Sequence, residues 1–196
     1  MKKVAIYSDG GCDPNPGPGG WAVILEYGRH RRELNGFALA TTNNRMELQA
    51  AIEGLNALKE PCRVSLYTDS EYLKHGITLW MRAWKRSGWK AKSKKPVKNV
   101  DLWKQLDELA QKHHVAWHWV RGHSGHVQNE RCDQLATAAI QTLRRTHSPE
   151  QLARALTDLE CGVRNADRIE PGRHVRSSRG NEALHSAFRI PHSALD

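Results

Sequence analysis

The sequence predicts an α/β fold in which a five-stranded mixed sheet, an antiparallel meander followed by parallel strands, is flanked by helices. Three observations lead to this prediction. Apolar runs of strand length come first in the chain, the hydrophobic period then changes to that of a helix, and strand and helix patterns alternate afterwards. A strand, a helix and a strand in succession favour a crossover that leaves the two strands parallel.

The first three strands are predicted at residues 3–9, 20–27 and 33–40, and they form the antiparallel meander. The stretch GGCDPNPGPGG joins the first strand to the second rather than to a helix. Its glycines are therefore poor candidates for a nucleotide phosphate cradle and better suited to a turn. Of the two acids in this region, Asp13 has no partner that the sequence reveals.

The remaining elements follow a change of hydrophobic period at TTNNRMELQAAIEGLNALKE, where apolar residues recur at helical spacing behind a Thr/Asn cap. The segment CRVSLYTDS is the fourth strand, and residues 115–120, rich in β-branched and aromatic side chains, are the fifth. Further helices are predicted at residues 71–86 and 100–112, and a last one from about Val127 to Leu143.

The length of 196 residues allows one domain with a core and an extension. We assign residues 1–144 to a catalytic domain and residues 145–196 to a C-terminal extension, in which SPEQLARALTDLECG is a short helix. Apolar periodicity is lost from Val163 onward, which predicts a disordered remainder.

Composition points to a cytoplasmic protein with a polyanionic partner. The net charge is +9, and no segment reaches the length of a signal-peptide core or a membrane span. The cysteines are widely separated and form no CxxC pair, so neither a zinc site nor a disulfide framework is indicated; they are Cys12, Cys62, Cys132 and Cys161.

Two strand ends carry carboxylates. Asp9 closes the first strand and Asp69 closes the fourth, so parallel neighbours would bring both acids to the carboxyl end of the sheet. Two helices carry one further carboxylate each. Glu47 continues a strip of small residues that suits close packing on a sheet, and Asp133 opens the last helix beside a cysteine.

Each of these four acids has an ordinary structural explanation when taken alone, as a strand end or as a complement to a helix dipole. Together they would repel one another unless a cation lay between them. An all-oxygen set suits Mg²⁺ or Mn²⁺, and two such ions about 4 Å apart clamp the attacking and leaving oxygens of a phosphodiester. The cluster predicts metal-dependent hydrolysis at phosphorus.

His123 lies in RGHSGH, between the fifth strand and the last helix. Flanking glycines leave it free to reach toward Asp133, where it would act as a proton shuttle near neutral pH. The alternative is a solvent-exposed loop histidine, since the chain has 11 histidines.

A basic and aromatic arm is predicted at residues 80–98, which contain eight Lys or Arg and no acid. Three tryptophans in so polar a stretch favour a surface that grips a nucleic-acid backbone over a solvated face with a core tryptophan. The residues that we single out are Trp80, Trp84, Lys85, Arg86, Trp89 and Lys90. Near the carboxylates, side chains that can bond a phosphate, a base edge or a ribose hydroxyl are Asn15, Thr42, Asn43 and Asn44. Helix capping is the structural alternative for residues 41–44.

Five segments resemble the signature segments of the bacterial type 1 ribonuclease H family, ribonuclease HI, and follow one another in the order found in that family. They are YSDGGCDPNPGPGGWA, TTNNRMELQAAI, YTDSEY, KKPVKNVDLW and WVRGHSGHVQNERCDQLA. The resemblance covers residues 3–143 and implies a ribonuclease H-like sheet and a monomeric enzyme. It further implies endonucleolytic cleavage of the RNA strand of RNA/DNA hybrids, with 5′-phosphate and 3′-hydroxyl ends.

The resemblance also implies roles for residues. The four carboxylates Asp9, Glu47, Asp69 and Asp133 correspond to ligands of two Mg²⁺ ions, with Mn²⁺ as a substitute, and His123 corresponds to a mobile-loop histidine. The arm corresponds to the basic protrusion that holds the DNA strand. Residues implied to contact the hybrid are Cys12, Asn15, Thr42, Asn43 and Asn44. The sequence departs from the family at Glu71, commonly Gln, and at Ser124, usually Ala.

Two other function classes stay open at this point. A nucleic-acid binding module would use the same fold without catalysis, although no carboxylate of the set is missing. A relative in the wider superfamily, such as a transposase or exonuclease core, would cut DNA instead.

Overall fold

The computed structural model describes residues 1–122 and 125–166. Its strands are β1 (Lys3–Cys12), β2 (Gly17–Tyr27), β3 (His30–Thr41), β4 (Arg63–Thr68) and β5 (His114–Trp119). Its helices are α1 (Asn43–Asn56), α2 (Glu71–His75), α3 (Met81–Arg86), α4 (Val100–Gln111), α5 (Val127–Thr146) and α6 (Pro149–Ala166), and a π-helical segment, Gly76–Trp80, joins α2 to α3.

The five strands form one mixed sheet in the order β3-β2-β1-β4-β5. Strand β2 is antiparallel to both β1 and β3, whereas β4 is parallel to both β1 and β5. The crossover from β1 to β4 through α1 therefore has the predicted direction. The predicted fold class, a meander followed by parallel strands and flanked by helices, is confirmed.

Strand β2 is buried on both faces, which explains its nearly continuous apolar sequence. Trp21 and Val23 belong to the large core that lies between the sheet and helices α1 and α4. Ala22 and Ile24 point the other way and pack with Cys132 of α5. Helices thus cover both faces of the sheet, with α1 and α4 on one side and α5 on the other.

Helix α1 packs closely on the sheet through the predicted strip of small residues. Ala50 and Ala51 are fully buried. A Cβ atom added to Gly54 would lie 2.8 Å from Cγ2 of Ile6 and 2.9 Å from Cγ2 of Val23. A larger residue at position 54 would push the helix away from the strands, so the strip of small residues sets the distance between α1 and the sheet.

Two local predictions are corrected, and the predicted cap of α1 is refined. Strand β1 continues to Cys12 because its pairing with β2 does, so Asp9 lies inside the strand instead of closing it. Asp133 lies in the second turn of α5, because that helix already begins at Val127. Thr42 occupies the predicted N-cap of α1, and its main-chain oxygen accepts from the N–H groups of Arg45 and Met46, but its side chain makes no capping bond.

The C-terminal part contains more helix than predicted. Helix α5 extends to Thr146, and α6 packs against β3 and β2. Ser148 caps α6 as predicted: its Oγ accepts from the N–H of Gln151, and its own N–H donates to Gln151 Oε1. The boundary at residue 144 stays a prediction, and the predicted disorder beyond residue 166 concerns residues outside the described ranges. None of the described helices is long and apolar enough to cross a membrane.

Candidate active site

The register of β1 and β4 brings two of the predicted carboxylates together. The parallel pairing runs from Lys3 opposite Arg63 to Tyr7 opposite Tyr67 and then ends. Two residues further on, in the same register, Asp9 is level with Asp69. Both acids therefore lie where the two central strands stop hydrogen bonding to each other, which is the edge that open α/β sheets use for ligands.

The other two carboxylates come from the helices on either face. A Cβ atom on Gly10 would collide with the main chain of Met46 and would lie 2.9 Å from the amide nitrogen of Glu47. Helix α1 thus rests directly on β1 beside Asp9. On the opposite face, Cys132 Sγ donates to the carbonyl oxygen of Tyr7 at 3.3 Å, which docks α5 on β1 one residue before Asp133.

Each of three carboxylates accepts a hydrogen bond from a neighbouring donor. The N–H of Gly10 donates to Asp9 Oδ1 at 2.7 Å, and Asn129 Nδ2 donates to Asp69 Oδ2 at 3.0 Å. Ser70 Oγ donates to Glu47 Oε2 and also accepts from the N–H of Leu73. These bonds orient the carboxylates before any cation binds.

Sequence reasoning missed Ser70 and Asn129, although both leave a signal. Ser70 follows Asp69 and stands at the N-cap of α2, where a serine is expected. Asn129 precedes Asp133 by four residues on α5, so the two share one helix face. Asn129 is buried, and its Oδ1 has no hydrogen-bond partner among the described residues.

Burial and mutual repulsion disfavour the ionised form of two carboxylates. Burial raises the pKa of Asp9 to about 7, and the charges of Asp69, Asp133 and Glu47 raise it as well, against the bond from Gly10. Burial likewise raises the pKa of Glu47 to about 7, and the charge of Asp69 adds to this. The four acids are thus electrostatic neighbours, and a cation among them would favour their ionised forms.

The chemistry of this donor set fits a hard divalent cation, because every donor is a carboxylate oxygen. Within residues 1–122 and 125–166, however, no group of three or more His, Cys, Asp or Glu side chains has the arrangement of a preformed metal site. The fold therefore brings the candidate ligands to one edge of the sheet without arranging them in a coordinating geometry.

The end of β5 and the segment that follows it contact Asp69. Trp119 Nε1 donates to the carbonyl oxygen of Asp69 at 3.0 Å. A Cβ atom on Gly122 would lie 2.7 Å from Asp69 Oδ2, so a larger residue at position 122 would displace this carboxylate from its present position. His123 and Ser124 fall outside the described residues, and the role of His123 stays a prediction.

The turn between β1 and β2 meets the start of α1 through three of the predicted hybrid-binding residues. The N–H of Cys12 donates to Asn43 Oδ1 at 2.7 Å, and the N–H of Asn43 donates to Asn15 Oδ1 at 3.3 Å. Cys12 Sγ also lies 3.4 Å from Asn15 Oδ1. Thr42 and Asn44 flank this cluster along the chain, and Asn44 is exposed.

The basic arm makes its contacts with α2 and α4 rather than with the carboxylates. The rings of Trp80 and Trp84 lie 5.6 Å apart, and Trp84 packs edge-on against Trp103 at 5.5 Å. Trp89 is half-buried against the same core.

The cations of the arm lie at the surface. Lys85 pairs with Asp107 at 2.7 Å, while Arg86 and Lys90 are exposed. The indoles thus pack on the domain next to exposed cations, and the role of these residues in substrate binding stays a prediction.

Known proteins resemble this chain in sequence over the described domain. The sequence profile of the RNase H family matches residues 1–141. The ribonuclease H of Erythrobacter litoralis (strain HTCC2594) is 61% identical over 139 residues, which are 71% of this chain and 96% of that relative. The ribonuclease HI of Brucella melitensis biotype 1 is 55% identical over 141 residues, which are 72% of this chain and 92% of the relative.

Solved structures agree with the sequence comparison. LC9-RNase H1, a type 1 RNase H with the type 2 active-site motif, matches with a TM-score of 0.65 and 37% sequence identity. The match covers 72% of this chain and 74% of the LC9-RNase H1 chain. LC11-RNase H1 in complex with an RNA/DNA hybrid shares the fold, with a TM-score of 0.53 and 21% identity over 71% of this chain and 98% of its own. By profile, by relatives aligned over nearly their whole length and by fold, the chain belongs to the ribonuclease H family and is of the ribonuclease HI type.

Proposed function

We propose that this ribonuclease H hydrolyses the RNA strand of RNA/DNA hybrids at internal positions, with two divalent cations, and leaves 5′-phosphate and 3′-hydroxyl ends. The observation that carries the proposal is the convergence of four carboxylates at the end of the β1–β4 pairing, two of them with a pKa of about 7. A cation bound among them would relieve the repulsion that disfavours their ionised forms.

The proposed cations are two Mg²⁺ ions, for which Mn²⁺ can substitute. Asp9, Glu47 and Asp69 would hold one, and Asp9 with Asp133 would hold the other. When bound, such ions stabilise the attacking and leaving oxygens of a phosphodiester. The bonds that Ser70 and Asn129 make to Glu47 and Asp69 limit how far these ligands can turn.

Other residues of the chain bind and orient the hybrid in this proposal. The cluster of Cys12, Asn15 and Asn43, with Asn44 beside it, contacts the minor groove, where the ribose 2′-hydroxyl distinguishes RNA from DNA. Thr42, together with Asn15, binds a phosphate of the DNA strand. Exposed cations of the basic arm hold the DNA strand by its phosphates. His123 carries a proton for product departure, a role for which histidine is suited among the side chains.

A single assay separates this proposal from its competitors. The protein is incubated with end-labelled RNA/DNA hybrid, duplex DNA and duplex RNA, each with Mg²⁺ and with chelator. We expect internal cleavage of the RNA strand of the hybrid alone, only with Mg²⁺, and products whose 3′-hydroxyl ends a polymerase extends. Cleavage of duplex DNA would indicate a DNA-cutting relative, and binding without cleavage would indicate a binding module.

The metal ligands are tested by Asp9→Asn, with Asp158→Asn as the matched control. Asp158 is exposed on α6, so its substitution leaves the carboxylate cluster untouched. We expect Asp9→Asn to abolish cleavage in Mg²⁺ and Asp158→Asn to retain it. Full activity of Asp9→Asn would refute the mechanism. Gel filtration of the parent tests the expected monomer.

A further inference from the structure

An arginine in the last turn of α5 contacts the turn that carries the hybrid-binding cluster. Nη2 of Arg144 donates to the carbonyl oxygen of Asp13 at 2.5 Å and to Asp13 Oδ2 at 2.8 Å. The partners are 131 residues apart in sequence. Asp13, for which the sequence reveals no partner, is thus bound through both its main chain and its side chain.

The turn is held from two sides. On one side, Asn43 at the start of α1 accepts from the N–H of Cys12 and donates to Asn15 Oδ1. On the other side, Arg144 holds Asp13, which stands between Cys12 and Asn15 in the chain. Within the turn, the N–H of Asp13 donates to the carbonyl oxygen of Pro18 at 3.0 Å. The position of Asn15 therefore depends on helices on both faces of the sheet.

We propose that Arg144 is a positioning residue for hybrid binding: it fixes the Cys12–Asn15 turn against α5 in its binding conformation. The inference rests on the proposed function, which assigns Cys12 and Asn15 to the hybrid. Both partners are largely exposed, at 43% and 72% of their side-chain surface, so the ion pair contributes little to global stability. Its effect lies in preorganisation, since a loop already ordered in the free protein loses less entropy on binding.

A competing explanation is that Arg144 binds a phosphate of the hybrid directly. The two explanations predict opposite effects for Asp13. If Arg144 acts through the turn, Asp13→Ala weakens binding, because the side-chain half of the contact is lost. If Arg144 acts as a charge on the substrate, Asp13→Ala strengthens binding, because a neighbouring negative charge is removed and the guanidinium is released.

The test uses the full chain and a fluorescent RNA/DNA hybrid. Hybrid Kd is measured in chelator, and KM and kcat are measured in Mg²⁺, for the parent, Arg144→Ala, Asp13→Ala and the double variant. Arg145→Ala is the matched control, because Arg145 is exposed on the same turn and bonds Thr142 of its own helix. Thermal melting verifies that every variant is folded.

We expect Arg144→Ala to raise Kd and KM by about three- to tenfold with kcat unchanged, as for the loss of one ordered loop contact. Asp13→Ala should raise them less, and the double variant should match Arg144→Ala. Unchanged Kd for Arg144→Ala, an equal effect of Arg145→Ala, or tighter binding by Asp13→Ala would overturn the inference. Because Kd is read without cleavage, a parent that fails to cut the hybrid refutes the proposed function separately.

Discussion

Replacing Asp9 by Asn should stabilise the metal-free fold at alkaline pH, although it removes a residue that the proposed mechanism needs. In the parent, burial together with the charges of Asp69, Asp133 and Glu47 raises the pKa of Asp9 from 3.8 to about 7. Above that pH the folded protein holds an ionised, buried carboxylate among like charges. Asn at this position stays neutral and can still accept the bond from the N–H of Gly10.

The magnitude follows from the difference between the two pKa values. From 3.8 to about 7 is about three units, and each unit corresponds to 1.36 kcal/mol, about 4 kcal/mol in total. Asn remains a buried polar group, so we expect the variant to gain about half of this, about 2 kcal/mol. For a chain of this size, a gain of about 2 kcal/mol raises Tm by about 4–8 °C.

The sign of the pH dependence is fixed by which state binds more protons. Between about pH 4 and pH 7 the folded parent keeps the Asp9 proton that the unfolded chain has lost, so parent stability falls as pH rises through this window. The advantage of Asp9→Asn should therefore be absent below about pH 4 and complete above about pH 8. Glu47, whose pKa is also raised to about 7, contributes the same trend to both proteins.

The assay is urea denaturation at pH 5 and pH 8 in chelator, with Asp158→Asn as the exposed control. We expect Asp9→Asn to be the more stable protein at pH 8 and the difference to shrink at pH 5. The control should have the same free energy of unfolding as the parent at both pH values. Equal or lower stability of Asp9→Asn at pH 8, in a protein shown to be metal-free, would refute the account of the site as a repulsive carboxylate cluster.

Two further predictions concern the scaffold. Gly76→Ala should destabilise the protein by about 1–3 kcal/mol in urea denaturation, because the added Cβ would collide with the fully buried ring of Trp103. The control is Gly162→Ala on α6, where the added Cβ meets open space, and this variant should be neutral or slightly stabilising. A chain ending at His147 keeps the carboxylates and Arg144 but loses the packing of α6 on β3, so hybrid cleavage should persist while Tm falls. Loss of cleavage by a folded truncated chain would show that the extension takes part in the reaction.

The sequence by itself determined the fold class and indicated candidate residues for the site. Apolar periodicity separates the strands from the helices, and the small residues Ala50, Ala51 and Gly54 show which face of α1 meets the sheet. These signals are local, because each depends on residues no more than a few positions apart. Taken singly, Asp9, Glu47, Asp69 and Asp133 have ordinary structural explanations, and they became candidates because the predicted topology brings them to one end of the sheet.

Only the tertiary structure decided which groups hold these acids and the Cys12–Asn15 turn. The partners of Glu47, Asp69 and Asp13 are Ser70, Asn129 and Arg144, at separations of 23, 60 and 131 residues. Such pairs form because strand register and helix packing bring distant segments together, and no periodicity along the chain records this. For the same reason, the continuation of β1 past Asp9 depends on its pairing with β2, which becomes visible only when both strands are in the sheet.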